Sequence, residues 1–155
     1  MGRGEAGVDS VRIVVKRKPG TEDLGLPAYQ TSEASGLDLL AAVDDEVVLA
    51  AGDITLIPTG LFLEIPPGYE AQVRPRSGLA LRDGLTVANT PGTIDSDYRG
   101  EVGVILINLG REAVTVTRGM RVAQLVVGPV VRAELVEGEP NATDRAAGGF
   151  GHTGS

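Results

Sequence analysis

Apolar residues fall along this chain in short runs, several alternating with polar positions, and turn formers interrupt every run. Val11–Val15 reads as a first strand, and Lys16–Pro27 as a loop punctuated by Pro19-Gly20 and Pro27. A second strand is predicted over Ala34–Ala41, with Asp38 set inside the apolar pattern. A carboxylate there is costly unless it is paired or hydrogen-bonded, the bland alternative being an aspartate at a sheet edge. Val47–Ala50, Ile54–Ile57 and Leu61–Ile65 read as separate strands, broken by Ala51-Gly52, Pro58 and Pro66-Pro67-Gly68. Tyr69–Val73 follows, then Arg74-Pro-Arg-Ser-Gly-Leu-Ala80, in which Ser77 is placed to cap a short helical turn. Leu85–Ala88 and Val102–Leu109 flank the polar stretch Asn89–Gly103 as the arms of a hairpin with its tip held open. Ala113–Thr117, Arg121–Val127 and Val130–Val136 complete the strands. No window longer than about ten residues keeps a helical apolar stripe, so the pattern predicts an all-β sandwich or barrel over residues 1–137.

Composition narrows this picture. Aromatic residues are 3% of the 155 positions against 42% hydrophobic residues, so the core must be assembled from Val, Ile, Leu and Ala. The 22 glycines and 9 prolines suit many short strands joined by turns. The length fits one domain with a single core. A formal charge of −7 argues against a protein that coats nucleic acid. It leaves room for a small phosphorylated ligand, because a few converging arginines suffice. With no cysteine, disulfides, thiol catalysis and thiolate metal sites are excluded. No long apolar run and no signal-peptide core are present, so a soluble, cytoplasmic protein without a membrane partner is the expectation.

The chain changes character at Gly138. Residues 138–155 are rich in glycine and predicted to form a flexible tail, mobile when the protein is empty. Phe150, flanked by glycines, is out of place in a linker but suits a tail that folds over a flat ring. Elsewhere the polar residues that stand out are Asp38, Arg76 beside Ser77, Asp95 and Asp97 with Tyr98 at the hairpin tip, and Gln124 within a strand pattern. Free backbone N–H groups at the start of a helical turn, beside the donor fork of Arg76, make a candidate anion site, although Ser-Gly after Pro-Arg is by itself most often a turn.

Five stretches, in this order, resemble the trimeric dUTPase family (deoxyuridine 5′-triphosphate nucleotidohydrolases). They are Ala34-Ser-Gly-Leu-Asp-Leu-Leu-Ala41, Arg74-Pro-Arg-Ser-Gly-Leu-Ala80, Gly92-Thr-Ile-Asp-Ser-Asp-Tyr-Arg-Gly100, Arg118-Gly-Met-Arg-Val-Ala-Gln-Leu125 and Asp144-Arg-Ala-Ala-Gly-Gly-Phe-Gly-His-Thr-Gly154. The resemblance implies a jelly-roll-like β-barrel that forms a homotrimer, each active site shared between subunits and closed by a C-terminal tail. It implies hydrolysis of dUTP to dUMP and pyrophosphate, with Asp95 activating a water for attack at the α-phosphorus. The hairpin, with Asn89, Thr93, Ile94 and Gly103, would receive the uracil and deoxyribose. Tyr98 would pack against the sugar and leave no space for a 2′-hydroxyl. Arg76, Ser77 and Gly78 would hold the α- and β-phosphates, and Gln124 would reach the α-phosphate. In the tail, Arg145 and Thr153 would grip the γ-phosphate while Phe150, followed by Gly151, covers the uracil. The implied cofactor is Mg2+, held by phosphate oxygens and waters, with Asp38 anchoring those waters.

Two positions depart from the family pattern: Ala146 stands where glycine is usual, and His152 where serine is usual. Alanine would cost about 1 kcal/mol if that position needs a positive φ. His152 either donates to a phosphate or is a solvent-exposed tail residue. The dCTP deaminase branch of the same fold would place Glu at Ile105 and Arg at Leu81, and both are apolar here. A regulator that binds dUTP without turnover, and a plain β-barrel interaction module, are the readings from other classes.

Overall fold

The computed structural model describes residues 10–143 and 145–147. Ten strands and one short helix follow each other as β1 (Val14–Arg17), β2 (Leu37–Leu40), β3 (Val47–Leu49), β4 (Ile54–Glu64), β5 (Tyr69–Arg74), α1 (Ser77–Asp83), β6 (Leu85–Val87), β7 (Gly92–Ile94), β8 (Glu101–Asn108), β9 (Val114–Val116) and β10 (Arg121–Pro129). One antiparallel sheet has the order β1-β4-β8-β6, a second the order β2-β10-β5-β7, and β3 pairs with β9 in a two-stranded ribbon. This is the expected all-β, jelly-roll-like architecture.

Period-two alternation builds the core. Along β8, Val102, Val104, Leu106 and Asn108 are buried while Glu101, Gly103, Ile105 and Ile107 are half-buried on the other face. The buried cluster is wholly aliphatic, with Leu39, Leu49, Ile57, Ile65 and Leu85 among its largest members. Beside it Asn108 is fully buried. Its Nδ2 donates to Leu49 O (2.9 Å) and Glu112 O (2.8 Å), and its Oδ1 accepts from Gly110 N–H (2.9 Å). The helix ends at Gly84, which has φ +69° and donates to Ala80 O. Leu109 N–H in turn donates to Gly84 O at 2.9 Å. A Cβ on Gly84 would stand 2.4 Å from Gly110 N, so the helix end and the end of β8 meet backbone to backbone.

Four expectations from sequence are corrected. The first strand lies over Val14–Arg17 and not Val11–Val15, because its partners are Leu61–Glu64 of β4. Ile54–Ile57 and Leu61–Ile65 belong to one strand that runs through Pro58. The register shifts between Pro58 and Phe62, and at this bulge proline's missing N–H interrupts no ladder bond. The hairpin tip is not held open: Gly92–Ile94 crosses to the second sheet and pairs with Ala71–Val73 of β5. Val130–Val136 forms no strand. Beyond Val130, whose N–H reaches Gly68 O at 2.9 Å, the turn at Pro66–Gly68 leaves no adjacent backbone to pair with.

Candidate active site

The end of the second sheet carries the first group of site residues. Asp38 of β2 is in register with Gln124 of β10, and Gln124 with Arg74 of β5, so three polar residues form one row across three strands. Chain reversal at Pro75 brings Arg76 and the start of α1 back over that row. Arg76 is the N-cap, with extended φ and ψ, and no side chain caps the helix, so Ser77 is its first residue and not its cap. Arg76 Nε lies 3.1 Å from Asp38 Oδ1, and Arg121 Nη1 lies 3.5 Å from Asp38 Oδ2. Arg76 also donates through Nη1 to Arg121 O at 3.1 Å. Gln124 Nε2 donates to Pro75 O at 2.9 Å. Its carboxamide lies so close to Gly36 that a Cβ there would stand 2.3 Å from Oε1. The costly carboxylate inside the β2 pattern is thus paired twice.

These residues line a cavity of about 620 Å³ whose other wall is the loop from Gln30 to Gly36. Three guanidiniums, of Arg74, Arg76 and Arg121, face it against the single carboxylate of Asp38. That balance favours a polyanion. Arg118 steadies the turn that leads into β10. It donates to both oxygens of Asp23 (2.9 and 2.6 Å) and to Gly20 O (2.7 Å) and Val43 O (3.2 Å). These hydrogen bonds hold the Asp23 carboxyl below the usual carboxylate range and raise Arg118 above the usual guanidinium value.

The second group bridges the two sheets, from β7 of the second to β4 and β8 of the first. Thr93, Ile94, Asp95, Tyr98, Glu101 and Gly103, with Leu56 and Ile105, line a pocket of about 270 Å³. Tyr98 N–H donates to Asp95 O at 3.1 Å, which closes the turn, and Tyr98 Oη donates to Glu101 O at 3.0 Å. The phenol ring lies across Gly100, where a Cβ would meet its Oη at 2.3 Å. Gly103 is similarly covered by Leu56, whose Cδ1 would be 2.6 Å from a Cβ. Asp95 is exposed, and among the described residues no donor reaches its carboxylate. Glu101 differs: Oε1 accepts from Gly60 N–H at 2.9 Å and Oε2 lies 3.7 Å from Lys18 Nζ.

The structure therefore brings Asp38, Arg76, Ser77, Gly78 and Gln124 together, and separately Thr93, Ile94, Asp95, Tyr98 and Gly103. Asn89 lines neither pocket; its Nδ2 lies beside Gly92. Arg145 is exposed, and Ala146 has φ 44°, the left-handed conformation that the family's glycine would adopt without strain. Phe150, Gly151, His152 and Thr153 lie outside the described residues. Arg74, Arg121 and Glu101 were not singled out from sequence. All three stand inside or beside the motif runs, but register and cavity, not spacing, give them their places. Among the described residues no three acidic or histidine side chains cluster to cage a metal ion. A single carboxylate at the rim of a polyanion cavity does fit Mg2+ held mainly by phosphate oxygens and waters.

Comparison with known proteins identifies the family and the fold. A family model described as dUTPase matches residues 22–154. The deoxyuridine 5′-triphosphate nucleotidohydrolase of Thermoanaerobacter sp. (strain X514) is 56% identical over 146 residues, covering 94% of this chain and 99% of the relative. That of Desulfotalea psychrophila is 63% identical over 135 residues, covering 86% and 90%. Among solved structures, the dUTPase of Staphylococcus bacteriophage 80alpha with dUPNHPP superposes with a TM-score of 0.78 at 24% identity, over 94% of this chain and 100% of that one. A mutant dUTPase of phage phi11, described as coordinating a structural Mg(II) ion, gives 0.73 at 22% identity, over 84% and 98%. With the family model spanning most of its length and relatives above half identity, the chain belongs to the dUTPase family.

Proposed function

We propose that this dUTP nucleotidohydrolase works as a homotrimer, with Asp95 as general base for a water that attacks the α-phosphorus and expels pyrophosphate. The observation that carries the reading is the division of the site. The arginine-rich cavity and the pocket of Asp95 share no lining residue and each is open to solvent, and in this reading a nucleotide spans them where two copies meet. The face beside the Asp95 pocket supports association: Ile54 and Leu56 are 60% and 65% exposed, in register with Ile107 and Ile105 of β8.

In this reading the Asp95 carboxylate, free of protein donors, accepts the proton of the attacking water. Arg76, Ser77, Gly78 and Gln124 hold the phosphates and meet the charge that develops as pyrophosphate leaves. Asp38 anchors waters of Mg2+, which when bound supplies further neutralisation of the triphosphate. Thr93, Ile94 and Gly103, with Asn89 behind them, present backbone groups to the uracil edge. Cytosine would leave buried groups unpaired, at about 1–3 kcal/mol each. Tyr98 rests on the sugar. Residues 138–155 close the site as a tail, with Arg145 and Thr153 on the γ-phosphate and Phe150 and Gly151 over the base. Ile105 lines the pocket where a deaminase would need a carboxylate. Hydrolysis in the cytoplasm would keep uracil out of DNA and supply dUMP for thymidylate synthesis.

The test is pyrophosphate release from dUTP with Mg2+, beside dCTP, dTTP and UTP, on the intact protein, Asp95→Asn and Gln124→Ala. Turnover of dUTP alone, abolished by Asp95→Asn with nucleotide binding retained, is expected. Mixing and reannealing the two inactive chains should restore part of the activity, because some interfaces then hold neither substitution. No recovery would overturn the shared site, and binding without turnover would favour a regulator.

A further inference from the structure

Glu101 shares the pocket of Asp95 yet has no place in the reaction. Its contacts say what it does instead. It opens β8 opposite the bulge of β4, where the register slips between Pro58 and Phe62. Such a bulge leaves an unpaired N–H and bends the strand. Here the N–H of Gly60, a residue at φ +69°, is taken by Glu101 Oε1 at 2.9 Å. Lys18 fastens the same point twice: its N–H donates to Gly60 O at 2.8 Å and its Nζ stands 3.7 Å from Glu101 Oε2. Thr59 Oγ1 donates to Val102 O at 2.6 Å, securing the adjacent residue of β8. The backbone around Glu101 is thus tied to β4 on both sides, and its carbonyl accepts the Tyr98 hydroxyl at 3.0 Å. Gly100 gives the ring its seat, and the phenol lies across it over the pocket.

We propose that Glu101 is a positioning residue for sugar selection: by locking the β4 bulge, its carboxylate fixes the carbonyl that aims Tyr98, and so sets the discrimination between dUTP and UTP. The inference rests on the reading of Tyr98 as the group beside the sugar. It also explains how two carboxylates share a small pocket. The charge of Glu101 is met by Lys18 and Gly60, which leaves Asp95 as the acid open to a water.

The experiment compares kcat/KM for dUTP and UTP in the intact protein, Glu101→Gln, Glu101→Asp, Glu101→Ala and Tyr98→Phe. Glu101→Asp keeps the charge but is too short for Gly60 N–H, and with Glu101→Ala it should reduce the dUTP to UTP ratio by roughly tenfold while kcat for dUTP changes little. Glu101→Gln keeps an acceptor toward Gly60 and should retain most of the selectivity. Tyr98→Phe, lacking the anchored hydroxyl, should match the loss, and combining it with Glu101→Asp should add nothing. An unchanged ratio in folded Glu101→Asp, with Tyr98→Phe altered, overturns the role of Glu101 alone. An unchanged ratio in Tyr98→Phe and Tyr98→Ala overturns the reading of Tyr98 on which it rests. Equal losses for dUTP and UTP in Glu101→Asp also overturn the proposal, since they mark a general structural effect.

Discussion

A single methyl group added at Gly36 tests whether Gln124 is held for catalysis. In Gly36→Ala the new Cβ would lie 2.3 Å from Gln124 Oε1, 3.1 Å from its Cδ and 3.3 Å from its Cβ. Gly36 immediately precedes β2, whose pairing with β10 begins at Leu37, so the carboxamide is the group that retreats, by about 1 Å to reach ordinary contact. That movement breaks the 2.9 Å hydrogen bond from Nε2 to Pro75 O, at a cost to stability of about 1 kcal/mol. The cost to the reaction is larger if Gln124 faces the α-phosphate. Loss of one donor to developing charge removes about 1.5–3 kcal/mol of transition-state stabilisation, or roughly 10–100-fold in kcat/KM. Steady-state pyrophosphate release reads this directly, and a melting curve separates it from unfolding. Gln124→Ala removes the group that clashes, so the double variant should be no slower than Gln124→Ala alone. Wild-type kcat/KM in folded Gly36→Ala would refute the reasoning. So would a double variant much slower than Gln124→Ala, because the methyl would then act through some other contact.

Three further outcomes are expected. Arg121→Gln removes one of three guanidiniums around the larger cavity, so KM for dUTP should rise about fivefold with kcat largely kept and with a shallower dependence on ionic strength; steady-state kinetics at several salt concentrations checks this. Asp23, held by Arg118 below its ordinary value of 3.8, contributes stability that is present above that pH and lost as pH falls through the lower, folded value. Asp23→Asn should therefore melt below the wild type at pH 6, and the gap should shrink as the pH drops below about 3.8, as thermal scans across that range would show. Asn108→Ala strips three hydrogen bonds from a fully buried position, removing the acceptor of Gly110 N–H and a donor from each of Leu49 O and Glu112 O, a loss of about 3 kcal/mol that chemical denaturation would register.

Much of the barrel could be read from alternation alone, because β8 and β5 bury every second residue and their turns are marked by Gly and Pro. The misreadings have physical causes. Pro58 signals a break only if its N–H is needed, and the bulge opposite Val102 removes that need. Gly92–Ile94 has too few residues to show a period, and its partner strand is on the other sheet. Val130–Val136 has strand-forming residues but no backbone to pair with; Val131 and Leu135 are 92% and 94% exposed. In the site, Asp38 was legible as an expensive carboxylate and Arg76 as a donor fork, whereas their pairing and the part of Arg121 in it were not. Arg76 and Arg121 come to Asp38 through a chain reversal and a cross-strand register, which one-dimensional spacing does not contain. Glu101 was hidden for the same reason, since its meaning depends on a bulge in a strand 41 positions away.

The backbone contact between Gly84 and Gly110 has a mechanical consequence. One end of β8 forms a wall of the Asp95 pocket at Glu101 and Gly103, and the other end abuts the close of α1. Eight extended residues measure about 27 Å. The strand thus acts as a ruler between the pocket of Asp95 and the helix that carries Ser77 and Gly78 to the larger cavity. No side chain stands between the end of that strand and the helix, so the backbones themselves set the interval. Each chain is built as a jig in which the two pockets are spaced by backbone alone, and in the proposed reaction adjustment to an arriving nucleotide falls to parts outside the barrel.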